Sequence, residues 1–135
     1  MNKKLIGISI LAYLLVACTP YRRIDMKNRS GGNVQINWKL KESDSLIQSP
    51  FFMYNSETVT FELQNAKPYN EVKMSFGQGS WKRDTLAYIT SWLESLEIKS
   101  DSGTIMLKSP EEIYSFLLPR RKGIGKRKIE ILVTK

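Results

Sequence analysis

The sequence contains no histidine and a single cysteine, Cys18. The first absence removes the zinc, copper and iron sites built on imidazole, and with them the Ser–His and Cys–His nucleophile pairs. The second removes any intramolecular disulfide, so packing alone must hold the fold. Oxygen-only calcium or magnesium binding, carboxylate-pair chemistry and serine–lysine chemistry remain open. Long hydrophobic runs are also missing. The longest, Leu5–Val16, is twelve residues with only Ser9 and Tyr13 as polar groups, short of the roughly 20 residues that a bilayer-spanning helix requires. Acid is locally scarce too, since no Asp or Glu stands between Glu112 and Glu130.

What is present begins at the front. Lys3 and Lys4 precede the apolar run, and a polar stretch follows from Thr19. That is the charged and apolar architecture of a secretory leader, with the lysines held on the cytoplasmic side. Leu15, Val16, Ala17 and Cys18 close the run with an aliphatic residue, a tolerant position, a small residue and a cysteine. This tetrapeptide resembles the lipobox of bacterial lipoprotein precursors. The resemblance covers residues 1–18 and implies cleavage after Ala17, a diacylglyceryl group on the Cys18 sulfur, and a palmitate-bearing anchor in the membrane. It also accounts for the odd cysteine count, because a free thiol is unusual in an exported protein. Thr19, where an aspartate would favour inner-membrane retention, points to the outer membrane. The run Thr19-Pro20-Tyr21-Arg22-Arg23 lacks the acidic stretch that directs some lipoproteins to the cell surface, so the periplasmic face is expected.

The 117 residues behind Cys18 fit one domain with a modest core. The domain plan is therefore a signal peptide over 1–17, a lipidated N-terminus and flexible tether over 18–32, and one folded domain over 33–135. The tether assignment rests on Pro20, four basic residues and Ser30-Gly31-Gly32, with too few apolar groups for a core element. Ile24 and Met26 leave room only for a short edge strand.

Within the domain, Val34, Ile36, Trp38 and Leu40 alternate with polar residues, as do Val59, Phe61 and Leu63, and then Val72, Met74 and Phe76. These period-two patterns predict three strands of an antiparallel meander. Phe51–Tyr54 reads as a short strand or core plug. Leu86, Ile89, Leu93 and Leu96 recur at helical spacing, which predicts a helix over 84–96 capped by Asp84. Leu96 and Ile98, a turn at Asp101–Gly103, and Ile105 with Leu107 predict a hairpin. Ser109-Pro110-Glu111-Glu112 forms a capping box with proline at the first helical position, and Pro119 ends that helix. Lys128–Thr134 is a last strand, apolar on both faces and therefore interior. The fold class is α+β: an antiparallel sheet of five to seven strands with two helices.

Removing Lys3 and Lys4 leaves 19 bases against 13 acids, a charge of +6. Six of those bases, Arg120, Arg121, Lys122, Lys126, Arg127 and Lys128, sit in one stretch with Gly123 and Gly125. This basic turn is the strongest candidate for contact with anionic lipid, an acidic glycan or an acidic envelope protein. Nucleic acid is not expected as a partner, because the leader exports the chain and the stretch lacks interleaved aromatics. Phe76-Gly77-Gln78-Gly79-Ser80-Trp81 lacks the third glycine of a dinucleotide fingerprint and reads as a turn. Trp38, Trp81 and Trp92 are candidates for a sugar-stacking platform or for the core. Glu111 and Glu112 are placed to cap a helix rather than to catalyse. No catalytic residue, metal site or cofactor is assigned. The expected role is a non-enzymatic binding or assembly module on the envelope. A small hydrolase acting on glycan or lipid, and a ligand-carrying lipoprotein, remain the alternatives.

Overall fold

A computed structural model describes residues 21–42, 48–54 and 56–135. The leader and the lipobox residues Leu15–Cys18 lie outside the described residues, as does most of the polar loop after Lys41. The described residues form a mixed α+β fold, with two eight-residue helices and two mostly antiparallel sheets of four strands each.

The strands are β1 (Tyr21–Arg29), β2 (Val34–Leu40), β3 (Thr58–Leu63), β4 (Glu71–Gln78), β5 (Leu93–Ser100), β6 (Gly103–Leu107), β7 (Arg121–Lys122) and β8 (Lys128–Thr134). The helices are α1 (Arg83–Thr90) and α2 (Pro110–Leu117). The first sheet runs β4-β1-β8-β7 and the second β3-β2-β5-β6. One pair is parallel, β1 with β8, and it aligns Ile24 with Ile129 and Asp25 with Glu130.

Two sheets replace the single sheet expected, for a reason of area. A sheet must cover its apolar face. The helices offer only Leu86 and Ile89 from α1, and Ile113 and Leu117 from α2, as fully buried apolar side chains. That is too little to cover five to seven strands, so the sheets contribute to one shared core. Ile24, Met26, Met74, Ile129 and Ile131 enter it from the first sheet, and Ile36, Trp38, Val59, Leu96 and Ile98 from the second. Accordingly β2 and β3 form a hairpin, but β4 leaves the expected meander and pairs with β1.

The stretch 18–32, expected as a tether, instead supplies β1 from Tyr21 onward, flanked by β4 and β8 in the interior of its sheet. Ile24, Met26 and Asn28 point into the core, while Asp25 and Lys27 occupy the opposite face. Their charge partners lie on the same strand and on β8: Arg23 Nε is 3.0 Å from Asp25 Oδ1, and Lys27 Nζ is 3.2 Å from Glu130 Oε2. The strand is stable because a segment about a hundred residues later completes it.

The helix expected over 84–96 ends at Thr90. Leu93 and Leu96 match the helical period, but they belong to β5, where Leu96 lies opposite Trp38 of β2. Asp84 bonds the neighbouring Thr85 N–H at 2.9 Å instead of capping the helix, whose N-cap is Lys82. The second helix follows its sequence signal. Ser109 Oγ accepts from the Glu112 N–H at 3.1 Å, and Glu112 Oε2 accepts from the Lys108 N–H at 2.7 Å. The β5–β6 hairpin and the interior position of β8 also match expectation.

Candidate functional site

The basic stretch connects α2 to β8 and folds back against the start of β1. A short 3-10 turn, Leu118–Arg120, leads into the two-residue β7. A second, Ile124–Lys126, carries the chain to β8. Gly123 and Gly125 adopt positive φ values of 84° and 70°, which a side chain would strain. Backbone bonds fasten this turn to its neighbours: the Arg23 N–H donates to Arg127 O at 3.0 Å, and the Trp81 N–H to Lys126 O at 2.7 Å.

The six cations do not act alike. The Arg120 guanidinium lies 3.6 Å from the centroid of the Phe116 ring and donates to Phe116 O, and burial lowers its pKa from the ordinary arginine value. Arg121 donates to Leu118 O and to Trp81 O, each at 3.0 Å. Lys122 and Lys128 both reach Glu130, at 3.1 Å and 3.5 Å. These four hold the turn in place. Lys126 and Arg127 make no ion pair among the described residues, and they leave two cations beside Ile124, which is 96% exposed at the tip.

Glu130 is the centre of the charge network on the outer face of the first sheet. The Lys122 hydrogen bond is the largest influence on it, and with Lys27 it outweighs burial, holding the carboxyl at a pKa of about 2. Asp25, its register partner on β1, is engaged by Arg23. Two carboxylates on adjacent strands are thus surrounded by bases and occupied by them. A carboxylate whose pKa is depressed stabilises the fold fully above its unfolded value, roughly 4.3, and loses that contribution as pH falls toward about 2. Glu130→Gln is expected to lower stability by about 1–2 kcal/mol at pH 7, since the lysines remain partly in water. In paired thermal melts of the purified protein the two curves should converge near pH 2. A difference that stays constant from pH 7 to pH 2 would contradict this assignment.

On the other side of the β1 start lies a groove of about 590 Å³, lined by Phe52, Met53, Tyr54, Phe76 and Tyr88, with Arg22 and Lys73 at its polar wall. Phe51 is buried and the next three residues form a 3-10 turn, so the run is half core plug and half exposed surface. Phe52 and Met53 are exposed, whereas Tyr54 packs edge-on against Phe61 at 6.2 Å, and burial raises its pKa. No periodicity in the sequence marks this groove. The available signal was Phe51-Phe52-Met53-Tyr54 itself: four large apolar residues in succession cannot all face one core. Arg22 donates to Gln78 O at 2.7 Å, its guanidinium lies 5.7 Å from the Trp81 ring centroid, and its buried Nε has no hydrogen-bond partner among the described residues.

Trp38 and Trp81 are fully buried in the core and Trp92 is half-buried against Tyr88, so the three do not form a platform. The turn expected over 76–81 is in part strand: Gly77, at φ 77°, lies inside β4 where the β1–β4 register shifts, and Gly79, at φ 118°, stands in the bend that follows. Another cleft, of about 830 Å³, lies at the far end of β3 and β5 and is walled by Asn33, Gln64, Asn65 and Lys99 among others. No group of three or more Cys, Asp or Glu suited to a metal ion occurs among the described residues, and no described helix is long and apolar enough to cross a membrane. Comparison with protein-family models, with curated proteins and with solved structures finds no match to this chain.

Proposed function

We propose that the protein is a bacterial envelope lipoprotein: a non-enzymatic binding or assembly module held on the outer membrane through acylated Cys18 and facing the periplasm. The observation that carries the reading is the lipobox Leu15–Cys18 behind a two-lysine, twelve-residue leader. Support comes from the fold, whose first strand begins three residues behind that cysteine. The engagement of Asp25 and Glu130 by Arg23, Lys27, Lys122 and Lys128 further favours a binding role over carboxylate chemistry.

The reading predicts a specific covalent product. Cells fed a labelled fatty acid should incorporate label into this protein, and mass measurement of its N-terminal peptide should place a diacylglyceryl group on Cys18 as the first residue. An unlabelled mature protein that starts at another residue would overturn the assignment.

A further inference from the structure

Only Thr19 and Pro20 separate Cys18 from Tyr21, the first residue of β1. Three chain steps reach at most about 11 Å, so a lipid on Cys18 would bring the end of the domain where β1 starts against the bilayer. Tyr21 pairs with Gln78 at the end of β4, and Arg23 lies opposite Lys128 at the start of β8. The anchor therefore leaves the fold between two features: the apolar groove on the β4 side and the basic turn on the β8 side.

We infer that this end of the domain is a second membrane contact, which docks onto anionic phospholipid headgroups with Met53 and Ile124 entering the interface on either side of the anchor. The inference rests on the lipoprotein reading above. Its chemistry is that of an interfacial protein, an apolar residue at a tip with cations set behind it. Ile124 stands between glycines with Lys126 and Arg127 adjacent, both without an ion pair among the described residues. Met53, 80% exposed, stands on a groove whose polar wall is Arg22 and Lys73. Exposed apolar side chains in two separate segments converge at the end from which the chain departs. The cations there match a negatively charged surface.

The test uses the full lipidated protein reconstituted into vesicles containing phosphatidylglycerol. Because acylation occupies the Cys18 sulfur, Met53→Cys, Ile124→Cys and Ser102→Cys each introduce one free thiol for an environment-sensitive fluorophore. Ser102 lies in the β5–β6 turn, beside Thr134 and Lys135 at the opposite end of β8, and serves as the distant control. Lipid-borne quencher is expected to quench the probes at 53 and 124 but not at 102. Quenching should weaken in zwitterionic vesicles, and the double variant Lys126→Glu/Arg127→Glu should shift the docked population toward the undocked by roughly fivefold per charge or more. If the protein sediments with the vesicles while all three probes stay unquenched, the docking face is overturned and the anchor stands. If it fails to sediment at all, the anchor is overturned and the docking face with it. Equal quenching in anionic and zwitterionic vesicles would remove the role given to the cations.

Discussion

Replacing Cys18 by serine is expected to abolish the mature membrane-bound form and leave a folded domain without its anchor. Serine cannot accept the diacylglyceryl group through sulfur, and the precursor would accumulate at full length or appear as detached protein. The effect is large because anchoring is steep in chain number. Each buried methylene contributes roughly 0.8 kcal/mol, a single chain binds only reversibly, and two chains hold a protein stably on a bilayer. No compensating loss of structure is expected, because Cys18 precedes the first strand and the core is drawn from residues beyond Tyr21. Fractionation after a high-salt wash, with circular dichroism on the recovered protein, measures both effects. The wash matters, since a cationic face at the start of β1 would retain some protein at low ionic strength. A serine variant that remained with the envelope at mature size after that wash would refute lipidation.

Local signals survived intact when the physics was local. Ser109 and Glu112 sit three residues apart and cap α2 as their types require, and the turn at Asp101–Gly103 joins β5 and β6. Period-two strands were legible because one face of each is buried by the core regardless of its neighbours. Pairing was not legible. β1 carries Arg23, Asp25, Lys27 and Arg29, a composition that belongs to a tether until β8 supplies Glu130 and β4 supplies a second flank. Likewise Leu93 and Leu96 satisfy a helical period, and only their pairing with Leu40 and Trp38 across β2 makes them strand. At the candidate site the six cations were identifiable as a cluster. Their division into four that fasten the turn and two that make no ion pair among the described residues depends on Phe116, Leu118, Trp81 and Glu130, which no spacing rule connects.

The largest expected loss of stability lies at Asn28, a buried polar residue on β1 that joins the two sheets. Its Nδ2 donates to Gly32 O at 2.7 Å, to Leu63 O at 3.1 Å and to Gln64 O at 3.0 Å, while its Oδ1 accepts from Ser30 N at 3.0 Å and Ser30 Oγ at 2.7 Å. One side chain thus satisfies the connection that crosses from the first sheet to the second, and the end of β3 beside it. Asn28→Ala leaves several of these groups buried and unpaired at about 1–3 kcal/mol each, partly relieved by relaxation, for a total of about 3 kcal/mol. Asn28→Asp should be worse at neutral pH, despite nearly identical volume. The carboxylate would set negative charge against three carbonyl oxygens in a site where Asn28 is only 2% exposed. A cost of about 4 kcal/mol is expected there, from the 3–5 kcal/mol typical of an uncompensated buried charge. For a domain of this size that lowers Tm by roughly 15 °C. The sign with pH distinguishes charge from shape. Burial raises the carboxyl pKa in the aspartate variant, so its deficit relative to wild type should shrink as pH falls and the acid becomes a neutral donor. The alanine variant's deficit should not change in that way. Thermal melts of the three proteins from pH 7 to pH 4 test both statements. An aspartate variant that melts with the wild type at neutral pH would mean that the carbonyls of Gly32, Leu63 and Gln64 do not require the amide, and that packing alone joins the sheets.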